Sequence, residues 1–186
     1  MGRFNCKFSK KIINFLKKKF TKVDIFLSKN SSSKPSKKIV NWKGDFIFCF
    51  RSFFILDNKF IKKARFYAIN FHPGPPEYRG IGCVNFSLLN NEKKYGCTSH
   101  LINHKIDNGK IINVKRFLIK SKDGVDDVLN NTYKYQFSQF KKIVNLIIKS
   151  ETNVKKMIKL SSKEKWSKRL YKRNNLNRLY QINIKI

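Results

Sequence analysis

YAINFHPGPPEYRGIG, residues 67–82, carries an apolar run into an Asn and a His two residues apart, then breaks at Pro, Gly and Pro. Successive strand side chains alternate faces, so Asn70 and His72 share one face while Ile69 and Phe71 share the other. Pro73 biases His72 toward an extended backbone, which places the pair where a strand gives way to a loop. In an open α/β sheet that edge is where ligands bind.

Working outward, the first half of the chain alternates helical and strand patterns. Ile12, Ile13, Leu16 and Phe20 form a helical stripe, and Val23–Leu27 follows as a short buried strand. A polar loop, Lys29–Lys38, leads to a second buried strand at Asp45–Phe50, a short helix at Asn58–Lys63 and a third strand at Phe66–His72. Residues 84–90 read as helix. From Tyr95 two extended segments, GCTSHLI and KIINVKRFLI, are separated by IDNG, whose Asn108-Gly109 favours positive φ. Asp123 and Asp126 then start a long helix with an apolar face of Val125, Val128, Leu129, Tyr133, Phe137, Phe140, Val144 and Ile147. The basic tail from Glu151 reads as a strand or turn followed by a short helix around Trp166 to Tyr171. This alternation predicts an α/β protein with a Rossmann-like, mostly parallel sheet flanked by helices, in a single domain. Only Met1 to Phe8 precede the first helix, so the first strand is expected to be incomplete.

The net charge is +31, from 42 Lys and Arg against 11 Asp and Glu. Such a balance is what a polyanionic partner, nucleic acid or an acidic membrane, would require. A blander origin competes with it: Lys, Asn, Ile and Phe are abundant throughout and Ala occurs only at Ala64 and Ala68. Charge alone argues for solubility and non-specific binding. Cys6, Cys49, Cys83 and Cys97 are far apart and form no CxxC pair, which fits reduced thiols in a cytoplasmic protein. No apolar run approaches the roughly 20 residues that span a bilayer, so no membrane span is expected.

Asn70, His72 and Asp107 are the constellation that can carry chemistry. An Asn amide and a protonated imidazole are both donors, so a shared strand face can hold a carbonyl oxygen as it becomes an oxyanion. A carboxylate on a nearby turn can keep the imidazole charged or take a proton from a nucleophile. A rival grouping is Cys97, His100, His104 and Asp107, at metal-ligand spacing along a helix. Gly96 and Thr98 argue for a strand instead, where Cys97 and His100 face opposite ways, leaving His100 and His104 as partly exposed polar residues.

The segment Asn70 to Ile112 resembles the core of the folate-dependent formyltransferases. That family includes methionyl-tRNA formyltransferase, glycinamide ribonucleotide formyltransferase and the nucleotide-sugar N-formyltransferases. The resemblance rests on motifs in matching order: Asn70-x-His72, Tyr78-Arg79-Gly80, Asn90-Asn91, Gly96-Cys97-Thr98, and Asp107-Asn108-Gly109 before Ile111-Ile112. It implies formyl transfer from 10-formyltetrahydrofolate to a primary amine without a metal. Asn70 and His72 would donate to the oxyanion, and Asp107 would accept the amine proton and hold His72 charged. It further implies a pterin pocket along Phe50, Arg51, Ser52, Phe53, Phe54 and Ile55, with Tyr78, Arg79 and Gly80 on the acceptor side, where Arg79 would orient the acceptor or buttress the loop. Residues 1–150 would then be the catalytic domain, and 151–186 a basic C-terminal extension packing on it.

The acceptor expected on this basis is a small amine, an amino sugar on a nucleotide. Methionyl-tRNA is the alternative, favoured by charge and disfavoured because the tRNA enzymes carry an additional C-terminal domain. A reading of another class is a non-catalytic basic nucleic-acid-binding protein on a formyltransferase scaffold, drawing on the mixed aromatic and basic run Lys165 to Arg173. Retention of Asn70, His72 and Asp107 together speaks against it.

Overall fold

The computed structural model describes residues 1–150, 152–161 and 163–183. A four-stranded sheet has the order β3 (Gly44–Phe50), β4 (Ala64–His72), β6 (Lys94–Leu101), β7 (Ile111–Leu118). Strands β3 and β4 are parallel, while β4–β6 and β6–β7 are antiparallel. Two short parallel ladders flank this sheet: β1 (Gly2–Arg3) with β2 (Leu27–Ser28), and β5 (Arg79–Gly80) with β8 (Leu170–Tyr171). Three of the five strand pairings among the described residues are thus parallel.

Alternation decides the layers. Phe48, Phe50, Ile69 and Phe71 lie in one buried cluster with Ile12 and Leu16 of α1 (Lys7–Lys17) and Phe140, Ile143, Val144 and Ile147 of α5 (Val125–Lys149). Ile47, Cys49 and Ala68 point the other way, toward Ile39 of α2 (Lys37–Val40) and Phe60 of α3 (Asn58–Ile61). Asn70 and His72 continue the Ala68 face past the end of that smaller core. Phe71 and Phe140 meet at a centroid separation of 4.7 Å, and both are fully buried. Truncating such a Phe costs about 3–5 kcal/mol.

Several expected elements change on folding. Val23–Leu27 pairs only at Leu27 and Ser28, because its neighbour β1 is two residues long. That first strand is indeed short, and it is fastened to β3 by the Phe50 N–H, which donates to Met1 O at 2.9 Å. The buried face of α5 includes Thr132, Gln136 and Gln139 beside the apolar stripe, since the two Gln amides reach sheet carbonyls at Phe71 and Asn113. In the tail a helix, α6 (Asn153–Leu160), stands where a strand or turn was expected. Residues 166–169 are irregular, and the last helix described is α7 (Arg173–Asn183). Tertiary bonds override local preference there: Leu170 and Tyr171 are drawn into a ladder with β5, and Trp166 bonds to Gly109 O. No helix among the described residues is long and apolar enough to cross a membrane, and the four cysteines are free and buried.

Candidate active site

The carboxyl ends of β1, β3 and β4 form one edge, and β4 brings Asn70 and His72 to it. The β4–β6 register places Asn70 opposite His100 and His72 opposite Thr98, so both pairs share a face. After β4 the loop at residues 73–78 is pinned down on β6: Tyr95 Oη donates to Pro73 O at 3.0 Å and Thr98 Oγ1 donates to Gly74 O at 2.8 Å. Gly74 is required there, because a Cβ would stand 2.6 Å from His72 Nε2 and 2.9 Å from Tyr78 O. The connection from β6 to β7 carries Asp107, which itself adopts the left-handed region, φ 42°. Asn108 and Gly109 were expected to supply the positive φ. Gly109 instead serves close approach, since its Cβ would fall 1.7 Å from Leu101 O.

Asp107 is the hub. Its Oδ2 accepts the Gly80 N–H at 3.0 Å and lies 3.2 Å from His72 Nδ1. Its Oδ1 accepts the Asn70 amide at 3.2 Å and lies 3.4 Å from His100 Nε2. His72 and His100 are each 2% exposed and Asp107 9%. Burial alone would raise the Asp107 carboxyl. The His72 charge, His100 and the Gly80 N–H outweigh it and hold the group well below the usual carboxylate range, so it stays ionised. His72 Nε2 lies 2.7 Å from Tyr78 O. Both ring nitrogens therefore face acceptors, an arrangement that calls for the imidazolium form. His100 Nδ1 donates to Leu101 O at 2.8 Å, and its Nε2 is 3.1 Å from Asn70 Nδ2.

The structure thus brings Asn70, His72 and Asp107 together and adds His100, which sequence reasoning set aside as partly exposed. His104, by contrast, is exposed. Cys97 is fully buried on the opposite strand face from His100, so the rival grouping does not converge, and no group of three or more His, Cys, Asp or Glu side chains among the described residues is arranged to hold a metal ion. Cys83 Sγ stands 3.9 Å from His72 Nε2, but burial and the Asp107 charge push its thiol up, leaving it neutral and a poor nucleophile.

Tyr78, Arg79 and Gly80 support this hub from behind. Arg79 is buried and donates to three carbonyls: Nε to Asp107 O at 2.6 Å, Nη2 to Ile106 O at 2.8 Å and Nη1 to Ser167 O at 2.9 Å. Tyr78 is buried against Tyr171 and donates its hydroxyl to Glu92 at 2.8 Å, and burial first among the causes pushes its phenol up to about 12. In the 50–55 segment, Phe50 and Phe54 point into the core and Ile55 is exposed, so the backbone is what the edge presents. Arg51 takes φ 54° and lies 3.6 Å over the Tyr133 ring, and Arg3 lies 3.9 Å over Phe53. Neither arginine belongs to an ion pair among the described residues, and Arg3 Nε is buried without a hydrogen-bond partner. A separate cavity of about 300 Å³, between residues 20–26 and β3, includes none of the hub residues.

A buried, ionised carboxylate gathering an Asn amide and two imidazoles at a sheet edge offers groups of the kind that can steady charge on a reacting carbonyl and move a proton. The family model described as formyl transferase matches residues 14–140, which span the whole hub, and the chain belongs to that family. Among curated proteins it is similar to the bifunctional polymyxin resistance protein ArnA of Wigglesworthia glossinidia brevipalpis, at 29% identity over 134 residues, covering 71% of this chain and 20% of that protein. It is also similar to the methionyl-tRNA formyltransferase of Parabacteroides distasonis, at 36% over 53 residues, covering 28% and 16%. The chain therefore matches a fifth or less of the length of these relatives. Among solved structures, an N-formyltransferase of Helicobacter canadensis in complex with folinic acid and dTDP-3-aminofucose superposes with TM-score 0.65 at 21% identity, covering 94% of this chain and 70% of that one. A 4-N formyltransferase of Francisella tularensis superposes with TM-score 0.54 at 26% identity, covering 75% and 55%.

Proposed function

We propose that this chain transfers a formyl group from 10-formyltetrahydrofolate to a primary amine, and that the acceptor is an amino sugar carried on a nucleotide. The observation that carries the reading is the convergence of Asn70, His72, His100 and the Gly80 N–H on the ionised Asp107. Family membership supports the donor. The amine nitrogen bonds to the formyl carbon, the carbonyl electrons move to oxygen, and the bond to the folate nitrogen then breaks. Asn70 and His72 donate to the oxygen as it becomes negative, competing with the internal acceptors Asp107 Oδ1 and Tyr78 O that those donors now face. Asp107 takes the amine proton through water and keeps His72 charged throughout. The backbone of Phe50, Arg51, Ser52, Phe53, Phe54 and Ile55 lines the pterin side. Tyr78, Arg79 and Gly80 shape the acceptor side from behind, by fixing the Asp107 turn. No step calls for a metal.

The Arg3 and Arg51 guanidiniums favour a nucleotide-linked acceptor. The two residues stand at the carboxyl ends of β1 and β3, and among the described residues neither belongs to an ion pair, Arg51 donating only to Cys6 Sγ at 3.2 Å, so both could meet a diphosphate. Charge summed over the whole chain favours methionyl-tRNA as the second reading, and the Parabacteroides relative supports it. In either case residues 1–150 carry the chemistry, residues 151–186 extend it, and the protein works in the cytoplasm. The test is incubation with 10-formyltetrahydrofolate and a panel of amines, following tetrahydrofolate release. Turnover with an amino-sugar nucleotide is expected. Turnover with charged initiator tRNA alone would promote the second reading, and absence of turnover and of calorimetric binding to 5-formyltetrahydrofolate would sink both.

A further inference from the structure

Trp166 is separated by some sixty residues of sequence from the Asp107 turn, yet its indole Nε1–H donates to Gly109 O at 2.7 Å. Its ring meets His100 edge to face, at a 5.0 Å centroid distance and 86°, and meets His72 at 5.9 Å and 65°. One side chain therefore touches both imidazoles of the hub and is tethered to the turn that carries its carboxylate. The strand of chain that bears it is fixed at several points. Ser167 N donates to Pro76 O at 3.0 Å, Arg79 Nη1 donates to Ser167 O at 2.9 Å, and Ile81 N donates to Tyr171 O at 3.0 Å. Arg116 bridges Glu77 on the Pro-rich loop to Glu164 beside Trp166, at 2.8 and 2.6 Å.

We propose that Trp166 is a positioning residue: its indole sets the ring orientations of His72 and His100 at the Asp107 hub. An imidazole can rotate about its ring bond, and an edge-on aromatic neighbour restricts that rotation while adding apolar contact. The Nε1–H bond to Gly109 O ties the indole to the Asp107 turn, so turn and rings keep one mutual geometry. The role in turnover rests on the formyl-transfer reading, whereas the ring-setting itself does not.

The test compares Trp166→Ala, Trp166→Phe and a control, Glu164→Gln, which loosens the same segment without touching either imidazole. Steady-state kinetics are expected to show kcat lowered at least tenfold in Trp166→Ala with both KM values within about threefold, since misplacing a reacting group by an ångström costs up to a hundredfold. Trp166→Phe restores the ring contact without the N–H bond and should recover at least half of that loss on a logarithmic scale, while Glu164→Gln stays within about threefold of the parent. Histidine-ring NMR supplies a readout independent of activity: signals of His72 and His100 move in Trp166→Ala, and those of the exposed His104 stay. A kcat loss no larger than that of Glu164→Gln, or unmoved His72 and His100 signals, would overturn the proposal. If Trp166→Ala fails to fold, Trp166→Leu, which fills the space without an aromatic edge, decides by the same ring signals: moved His72 and His100 signals support the proposal and unmoved ones overturn it. If the parent protein shows no formyl transfer, the functional reading falls and the ring signals still decide whether Trp166 sets the rings.

Discussion

Arg79 Nε donates to the backbone carbonyl of Asp107 across 2.6 Å, so the guanidinium of one loop fixes the main chain of another. With its bonds to Ile106 O and Ser167 O, it satisfies three carbonyls by a planar fork that an ammonium cannot reproduce. Arg79→Lys should lower stability by about 2 kcal/mol in urea titrations, from buried carbonyls left without a donor, and should lower kcat in parallel by releasing the Asp107 turn. A stability equal to the parent would show that the fork is dispensable.

Gly74 sits where a methyl group would press on His72 Nε2 and Tyr78 O. Gly74→Ala is therefore expected to reduce kcat by about tenfold or more through displacement of the ring, with folate affinity measured by calorimetry nearly unchanged. Full activity would mean that the loop yields without moving His72.

What could be read from the sequence follows from how local each feature is. Strand alternation alone aligned Asn70 with His72, and β4 runs as expected through that pair. His100 escaped because β6 alternation gives it a face but not a neighbour. Only the register Asn70↔His100, a pairing across thirty residues, brings it to Asp107. The pattern of His100 flanked by Ser99 and Leu101 on a strand, with Thr98 on the same face, was the available signal. Trp166 was read as helical for a similar reason, because its bond to Gly109 O depends on a long-range contact with no local trace. Gln136 and Gln139 broke the apolar stripe of α5 because their amides meet strand carbonyls that no periodicity reveals.

The depressed Asp107 carboxyl makes a signed prediction about acid. A group held below its unfolded value, near 3.9, stabilises the fold fully above that value, and its contribution is lost as pH falls through the folded one. Urea unfolding of the parent and of Asp107→Asn should therefore differ most above about pH 5, and the difference should shrink steadily as pH falls from about 4 toward about 2. Asn is the right replacement, since it tolerates the positive φ at this position better than Ala. A constant difference across that range would show that Asp107 is not depressed.

The charge of +31 should matter little to the reaction if the acceptor is a nucleotide sugar. A diphosphate meets few cations, so kcat/KM is expected to change less than about tenfold between about 50 and 200 mM salt, whereas retention of RNA held by many phosphates would fall by about a thousandfold or more. A steep loss of turnover with salt would point to a polynucleotide acceptor.

The hub itself is tested most directly by single-turnover formyl transfer from 10-formyltetrahydrofolate to an amino-sugar nucleotide, comparing the parent with Asp107→Asn, His72→Ala and His104→Ala. Loss of a proton acceptor or oxyanion donor predicts rates lowered by about a hundredfold or more in the first two, with 5-formyltetrahydrofolate affinity preserved and the exposed His104→Ala equal to the parent. Parent-level transfer in Asp107→Asn would contradict the account.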